Sequence, residues 1–225
     1  MKKIIIAILA IFPIFSAHAN VGVNVGVSVQ VGTAEASGSE NENGTITQSE
    51  TEEMLFGTGS FFIEKTLDFL PGPFGRLAVG YDYVPHDIGT GTANNMRLNE
   101  SSGGLMSLVR DRENSVKATF EDLNTFYVTA DLTDFLYVKA GFVSVDAITE
   151  ETLATGSDYG NASLDGEVYG FGLKTSNDNG LFIRAEANWM DIDGATLTST
   201  TNSDNKVTLD GIDTVSARVS IGKTF

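Results

Sequence analysis

The chain lacks cysteine and long apolar runs. The absence of cysteine among its 225 residues fits export to an oxidising compartment, where free thiols would cross-link. A transmembrane helix needs roughly 20 consecutive apolar residues. The longest comparable run, from Ile4 to Phe15, is too short. If the remaining chain crosses a bilayer, it must therefore do so as a closed β-barrel, which satisfies every backbone N–H and C=O internally.

Basic residues are also scarce. Lys and Arg number 14 against 30 Asp and Glu, which gives a formal net charge of -16. Because Lys2 and Lys3 fall in the N-terminal segment discussed next, the rest of the chain carries -18. Nucleic acid is not expected as a partner of so acidic a surface. The acidity predicts well-solvated loops, and a second interpretation is divalent-ion bridging to anionic lipid headgroups.

The N-terminus has the three-part layout of a secretory signal peptide. Lys2 and Lys3 precede the apolar run, and Ser16-Ala17-His18-Ala19 supplies the small residues of a cleavage site. We expect cleavage after Ala19. The predicted organisation is therefore a signal peptide at 1–19 and one domain at 20–225.

Alternating apolar and polar residues predict strands with two different faces. The pattern is clearest at 21–31, where six valines alternate with small or polar residues. Further strands are predicted at 54–67, 76–84, 117–131, 136–146, around 169–174, from 181 onward, and in a final segment that ends at 225. A soluble barrel or sandwich would show the same period, but would bury the apolar face and expose the charged one.

The connections between these eight strands alternate between long and short. Long polar loops are predicted at 34–53, 85–116, 148–165 and 200–206, and tight turns at 70–75, 131–135 and 176–180. Outer-membrane barrels have short periplasmic turns and long extracellular loops. The pattern thus predicts an all-β, eight-stranded antiparallel up-and-down transmembrane barrel with its long loops outside the cell. Trp189 is placed in an upper aromatic girdle, and a lower girdle is predicted from Phe69, Phe74, Phe135 and Phe225.

The last strand ends in apolar residues at alternate positions followed by a terminal aromatic: Val215, Ala217, Val219, Ile221 and Phe225. This segment and the strand pattern resemble the small eight-stranded outer-membrane barrels of the OmpA, OmpX, OmpW and opacity-protein type. The resemblance implies an outer-membrane location and an assembly signal formed by Phe225, Ile221 and Val219. It also implies contact with outer-membrane lipid and lipopolysaccharide, and recognition by periplasmic chaperones and the outer-membrane insertion machinery. Lys223 and Ser220 depart from the family's usual residues.

Eight strands enclose a space just wide enough to be filled by side chains. The face opposite the lipid is predicted to carry five basic and three acidic residues: Arg76, Lys139, Lys174, Arg184, Arg218, Glu64, Asp82 and Glu186. Unpaired ions in such a space each cost several kcal/mol. One interpretation is a salt-bridged plug. The other is a narrow gated water path whose cationic excess favours small anions.

Catalytic and metal motifs are weak. His86 is the one histidine outside the predicted signal peptide, and it is followed by Asp87 and Ile88. A lipid-A deacylase of the small-barrel type would need a histidine and a serine two positions apart on a strand. Asp191-Ile192-Asp193-Gly194 has part of a calcium-loop spacing but lacks the later glutamate. We predict no enzyme activity, no metal site and no cofactor.

These observations predict a monomeric outer-membrane barrel with a structural or surface-interaction role. Envelope integrity and adhesion through acidic extracellular loops are the expected forms of that role. The alternative is a narrow small-solute channel gated by the interior charges.

Overall fold

The computed structural model describes residues 21–42, 45–97, 112–152 and 157–225, which form nine strands. The strands are β1 (Val23–Glu42), β2 (Thr45–Thr66), β3 (Leu77–Tyr83), β4 (Ile88–Arg97), β5 (Arg112–Asp131), β6 (Leu136–Thr152), β7 (Ala162–Ser176), β8 (Leu181–Thr198) and β9 (Lys206–Thr224), with a 3-10 helix at Gly72–Arg76. No helix in these ranges is long and apolar enough to cross a membrane. The predicted signal peptide lies outside the described residues.

The strands close into an eight-position antiparallel barrel. β1 pairs with both β2 and β9, and β3 pairs with both β2 and β5, so the sheet returns on itself. Within the described residues β4 pairs with β5 above the end of β3, so β3 and β4 share one position in the wall. The predicted up-and-down barrel is confirmed, with its third strand split in two.

The strands are strongly tilted. One circuit of the barrel starts at Gly26 of β1 and passes from each residue to its partner on the next strand. The circuit returns to β1 at Ala36. This displacement of ten residues round eight strands corresponds to a tilt of about 40° from the barrel axis.

Three short connections define what we call the lower end of the barrel. They follow β2, β5 and β7, at the turn positions that the sequence predicts. In the last of them the Asn177 side-chain oxygen accepts the N–H groups of Asn179 and Leu181, each at 3.0 Å. Gly180 follows with φ of 77°, the left-handed conformation that favours glycine. In outer-membrane barrels, connections of this length lie on the periplasmic side.

At the opposite, upper end the strands are longer than the sequence predicts. The predicted loop at 34–53 is largely sheet, because β1 continues to Glu42 and β2 begins at Thr45. The predicted loop at 85–116 contains β4 and the start of β5, and that at 148–165 contains the end of β6 and the start of β7. Those three boundaries were wrong. The connection between β8 and β9 lies where it was predicted, near 200–206.

The barrel wall reverses its polarity along its length. In the lower half, which includes 23–31 of β1 and 181–189 of β8, apolar side chains such as Val29 and Ile183 are exposed outward. In the upper half the apolar residues point inward and pack together. This upper core comprises Ala34, Val143, Val145, Ala147, Leu164, Ile192 and Ile212, with Met54, Phe56, Phe120 and Leu123 packed against it.

Irregularities in the ladders accompany this reversal. The register between β1 and β9 shifts between Ser37 and Gly38, opposite Gly211, whose φ of 148° suits glycine. A second shift interrupts β5 near Asp122, which has a positive φ of 53° and accepts a hydrogen bond from the Tyr83 hydroxyl at 2.9 Å. Because each bulge adds a residue to one strand, it changes which residues of that strand face the interior.

Candidate functional site: the interior charge cluster

The interior of the lower half contains a cluster of ionised side chains held on five strands. Its members, which we call the charge cluster, are Glu64 of β2, Asp82 of β3, Lys139 of β6, Arg184 and Glu186 of β8, and Arg218 of β9. Each is at most 8% exposed. Side chains alternate between the two faces of each strand, and all of these residues are on the inward face. The positions between them carry apolar residues that face lipid.

The most deeply buried ion pair joins two strands that are not neighbours. Arg184 Nη1 lies 2.5 Å from Glu64 Oε2, and Glu64 is 1% exposed. The guanidinium is also 4.6 Å from the ring centroid of Phe182 and 5.7 Å from that of Phe62. These rings supply a cation–π environment in place of water.

A second group of contacts is centred on Arg218. Its Nη2 contacts Asp82 Oδ2, and its Nε lies 3.4 Å from Glu186 Oε2. Glu186 also receives a hydrogen bond from the Tyr137 hydroxyl at 2.7 Å and lies 3.8 Å from Lys139 Nζ. Each carboxylate in the cluster therefore has a cationic partner.

Interior aromatic rings lie over glycines on the adjacent strand. Phe62, Tyr127, Tyr137 and Phe182 are paired across the ladder with Gly26, Gly80, Gly172 and Gly222 respectively. A Cβ at Gly172 would come within 2.5 Å of the Tyr137 ring, and the other three glycines are similarly crowded. The missing side chains thus make room for the rings that surround the cations.

Arg76 and Lys174 do not belong to this cluster, contrary to the sequence-based prediction. Arg76 ends the 3-10 helix, is exposed and donates to the Leu132 carbonyl oxygen at 3.2 Å. Lys174 lies at the lower rim, where its half-buried ammonium pairs with Asp131 at 2.6 Å. Both residues lie near strand ends, where the chain leaves the barrel interior. The cluster therefore contains three bases and three acids, and the predicted cationic excess is absent.

Above the charge cluster, polar side chains on β8 and β9 line one wall of the interior. The Asn188 side-chain amide and the hydroxyls of Thr214 and Ser216 are buried without a hydrogen-bond partner among the described residues. Buried groups of this kind are commonly satisfied by ordered water. Sequence reasoning missed this set because single polar residues on an inward face carry no distinctive motif.

The outer surface carries a row of acidic residues that the sequence analysis also missed. Following cross-strand partners from β2 to β7, the row contains Glu53, Glu35, Asp213, Asp191 and Glu167, all exposed. Like charges directly opposite each other destabilise a sheet. Only the pairing register reveals the row, since its members are far apart in the sequence. The Asp191-Ile192-Asp193-Gly194 segment, which has part of a calcium-loop spacing, lies within β8, and no group of three or more potential metal ligands occurs in the described ranges.

The predicted girdle and assembly-signal residues occupy the outer surface and lower end. Phe69, Phe74 and Phe135 are 59–68% exposed at the lower turns, and Trp189 is exposed with its ring 5.8 Å from that of Phe171. Val219 and Ile221 face outward on β9. Phe225 exchanges backbone hydrogen bonds with Val23, and Lys223 Nζ lies 5.2 Å from its ring. Recognition of this segment by assembly factors stays a prediction.

A closed eight-stranded barrel with an outward apolar band and inward charges is the architecture of a small outer-membrane β-barrel protein. Among solved structures, the chain is similar to AlkL in lipid bilayers, with 16% identity, a TM-score of 0.47, and 93% of each chain covered. It is similar to OprG from Pseudomonas aeruginosa, with 10% identity, a TM-score of 0.44, and 91% of this chain and 96% of that chain covered. It is also similar to Neisserial surface protein A, with 12% identity, a TM-score of 0.40, and 88% of this chain and 97% of that chain covered.

No family model and no curated protein sequence matches the chain. The class of protein is therefore assigned from the strand pairing and from the distribution of polar and apolar side chains described above.

Proposed function

We propose that this protein is an outer-membrane barrel that acts through its surface and not as an open pore. The observation that carries the proposal is the charge cluster, which is buried, paired and balanced in charge. Three cations and three carboxylates hold β2, β3, β6, β8 and β9 together across the interior. A buried set of ions that are paired with one another favours a plug over a path for free ions.

The proposed working surface is the upper half. Its acidic outer face rises from the top of the apolar band, and its apolar core gives that extension a rigid interior. We propose that this half contacts the lipid and lipopolysaccharide of the outer leaflet and presents an adhesive surface beyond it. The protein would be delivered to the membrane after cleavage of the signal peptide following Ala19. Chaperones and the insertion machinery would recognise Phe225, Ile221 and Val219.

The test is single-channel conductance of the refolded chain, residues 20–225, in a planar bilayer. Insertion is first verified by heat-dependent gel mobility. A plug predicts no discrete steps from inserted protein. Reproducible steps would overturn the proposal. Binding of the same protein to vesicles with and without lipopolysaccharide then tests the surface role, and equal binding to both would count against lipopolysaccharide as the partner.

A narrow water path is the second candidate, and one observation favours it. The unpartnered Asn188, Thr214 and Ser216 side chains lie directly above the charge cluster, where water is the natural partner. In this alternative the ion pairs form a gate. Replacing Glu186 with Gln would then increase leak through a folded barrel, whereas a plug predicts lower stability without conductance.

A further inference from the structure

The barrel wall contains a lateral seam on its β2 side. β2 pairs with β3 from Thr66 down the sequence to Phe61, which lies opposite Tyr83. Above this point β4 pairs with β5, and no ladder joins β4 to β2 in the described part of the chain. We use the name seam for this unpaired boundary between residues 51–59 of β2 and the start of β4.

Pro85 explains where the seam begins. If the ladder between β2 and β3 continued in this register by two more residues, Gly59 would lie opposite Pro85. Proline has no N–H and cannot donate to a neighbouring strand, so it is tolerated only where pairing ends. The ladder ends before this residue because proline could not donate to the Gly59 carbonyl oxygen, and the backbone N–H of Gly59 makes no ladder hydrogen bond to β3.

His86 supplies the missing acceptor. The Gly59 N–H donates to His86 Nε2 at 2.9 Å, and His86 Nδ1 lies 3.2 Å from the carbonyl oxygen of Asp87. A backbone N–H can only donate, so Nε2 must be unprotonated. The ring hydrogen is then on Nδ1, where it points to the Asp87 carbonyl. The contact therefore requires the neutral imidazole in one particular tautomer.

We propose that His86 is a pH-operated latch that holds the base of the seam closed. A protonated imidazole carries hydrogen on both nitrogens and cannot accept from Gly59. Histidine is the side chain that ordinarily changes charge between pH 5 and 8. The latch is closed while the ring is neutral and opens when the ring is protonated. This inference does not depend on whether the barrel conducts or adheres.

The charged side chains closest to the latch in the chain and on β5 are carboxylates. Asp87 is on the same connection, while β5 brings Asp122, which Tyr83 of β3 contacts through its hydroxyl. The facing part of β2 consists of Gly57 to Gly59 and contributes no charge. A protonated ring would therefore face a backbone N–H donor on β2 with no charge there to hold it in place.

Opening the latch affects the upper core first. Met54 and Phe56 lie on β2 just above Gly59 and pack against that core. Once Gly59 no longer donates to His86, β1 is the only strand hydrogen-bonded to this stretch of β2 in the described structure. The expected result is a local loosening of β2 at the seam while the ladders of the lower half remain intact.

The test uses residues 20–225, in which His86 is the single histidine, so its ring nitrogens give unambiguous NMR signals. The protein is labelled with ¹⁵N and studied in lipid nanodiscs between pH 8 and pH 5. At pH 8 we expect the tautomer with hydrogen on Nδ1. On acidification, protection of the Gly59 amide, corrected for intrinsic exchange, should fall about tenfold. The Ile63 amide, within the intact ladder, should not change.

Two variants separate the latch from a structural role. In His86→Gln a neutral side-chain oxygen can accept at any pH, so Gly59 protection should no longer depend on pH. In His86→Leu there is no acceptor, so protection should be low at both pH values. Hydrogen on Nε2 at pH 8, or equal Gly59 protection in wild type and His86→Leu, would overturn the proposal. If a variant fails to fold, the tautomer of His86 in the wild-type protein at pH 8 still tests the proposal.

Discussion

The lower and upper halves of the barrel use the same strands with opposite polarity. Below Trp189 the charges are inside and the valines outside, while above it the apolar core is inside and the carboxylates outside. The lower half is organised as a membrane protein and the upper half as a soluble one. The comparison shows that the surroundings of each segment decide which face of a strand is polar, and that one continuous strand can satisfy both surroundings.

The largest expected effect is in the lower half. Replacing Arg184 with Met leaves the Glu64 carboxylate buried without its cation, and should lower the free energy of unfolding by about 3–5 kcal/mol. Denaturant unfolding in micelles measures this. The matched double variant Arg184→Met with Glu64→Leu removes both charges and should recover most of the loss. A loss below about 1 kcal/mol in the single variant would show that this pair is not a buried structural contact.

The second prediction contrasts two isoleucines of β8. Ile192→Ala should leave a cavity in the upper core and cost about 2–5 kcal/mol. Ile183→Ala, on the lipid-facing surface of the lower half, should cost less because lipid or detergent fills the space. Both are measured by denaturant unfolding, with amide exchange to show which half loosens. Equal effects would contradict the reversal of polarity along the strand.

A smaller effect is expected where aromatic rings lie over glycines. A methyl group at Gly80 would overlap the Tyr127 ring, so Gly80→Ala should cost about 1–3 kcal/mol. Gly57→Ala is the control, because a Cβ there would meet its nearest atom at an ordinary 3.9 Å. The melting temperature of Gly80→Ala should therefore be lower than that of Gly57→Ala. Equal melting temperatures would mean that Tyr127 moves aside freely.

The smallest effect concerns the acidic row of the upper half. Asp191 lies between Glu167 and Asp213, so Asp191→Asn relieves two like-charge contacts and should stabilise by about 0.2–1 kcal/mol. The gain should shrink as salt screens the row. Asp204→Asn, in the exposed connection before β9, is the control and should show no comparable gain. Destabilisation by Asp191→Asn would mean that the carboxylate has a favourable role.

The sequence predicted the lower half well because lipid imposes one simple rule. Outward positions must be apolar, so the alternation in segments such as 21–31 and 181–189 identifies strand and face together. Six of the eight charged residues that this alternation placed in the interior face inward in the structure. Arg76 and Lys174 were misplaced because alternation continues formally to the strand ends, where the chain no longer faces the interior.

The upper half was mistaken for loops because water imposes no comparable rule on its outer face. Glu, Ser, Thr and Asn outside, with small or moderately apolar residues inside, resemble a solvated connection. Bulges near Gly211 and Asp122 further shift the inward phase, so no single alternation runs through each strand. The seam was also invisible in the sequence, since the effect of Pro85 depends on the residue opposite it on another strand.

The partners in the charge cluster have a consequence for the order of assembly. Asp82 and Arg218 are 136 positions apart in the chain, and Arg218 is carried by the last strand. Until β9 arrives, Asp82 lacks its ion-pair partner and Glu186 lacks one of its two, so a barrel open at that strand contains an uncompensated charge in a membrane. Long-range pairing of this kind makes folding slow. The same ion pairs that fill the finished barrel therefore penalise every unfinished one.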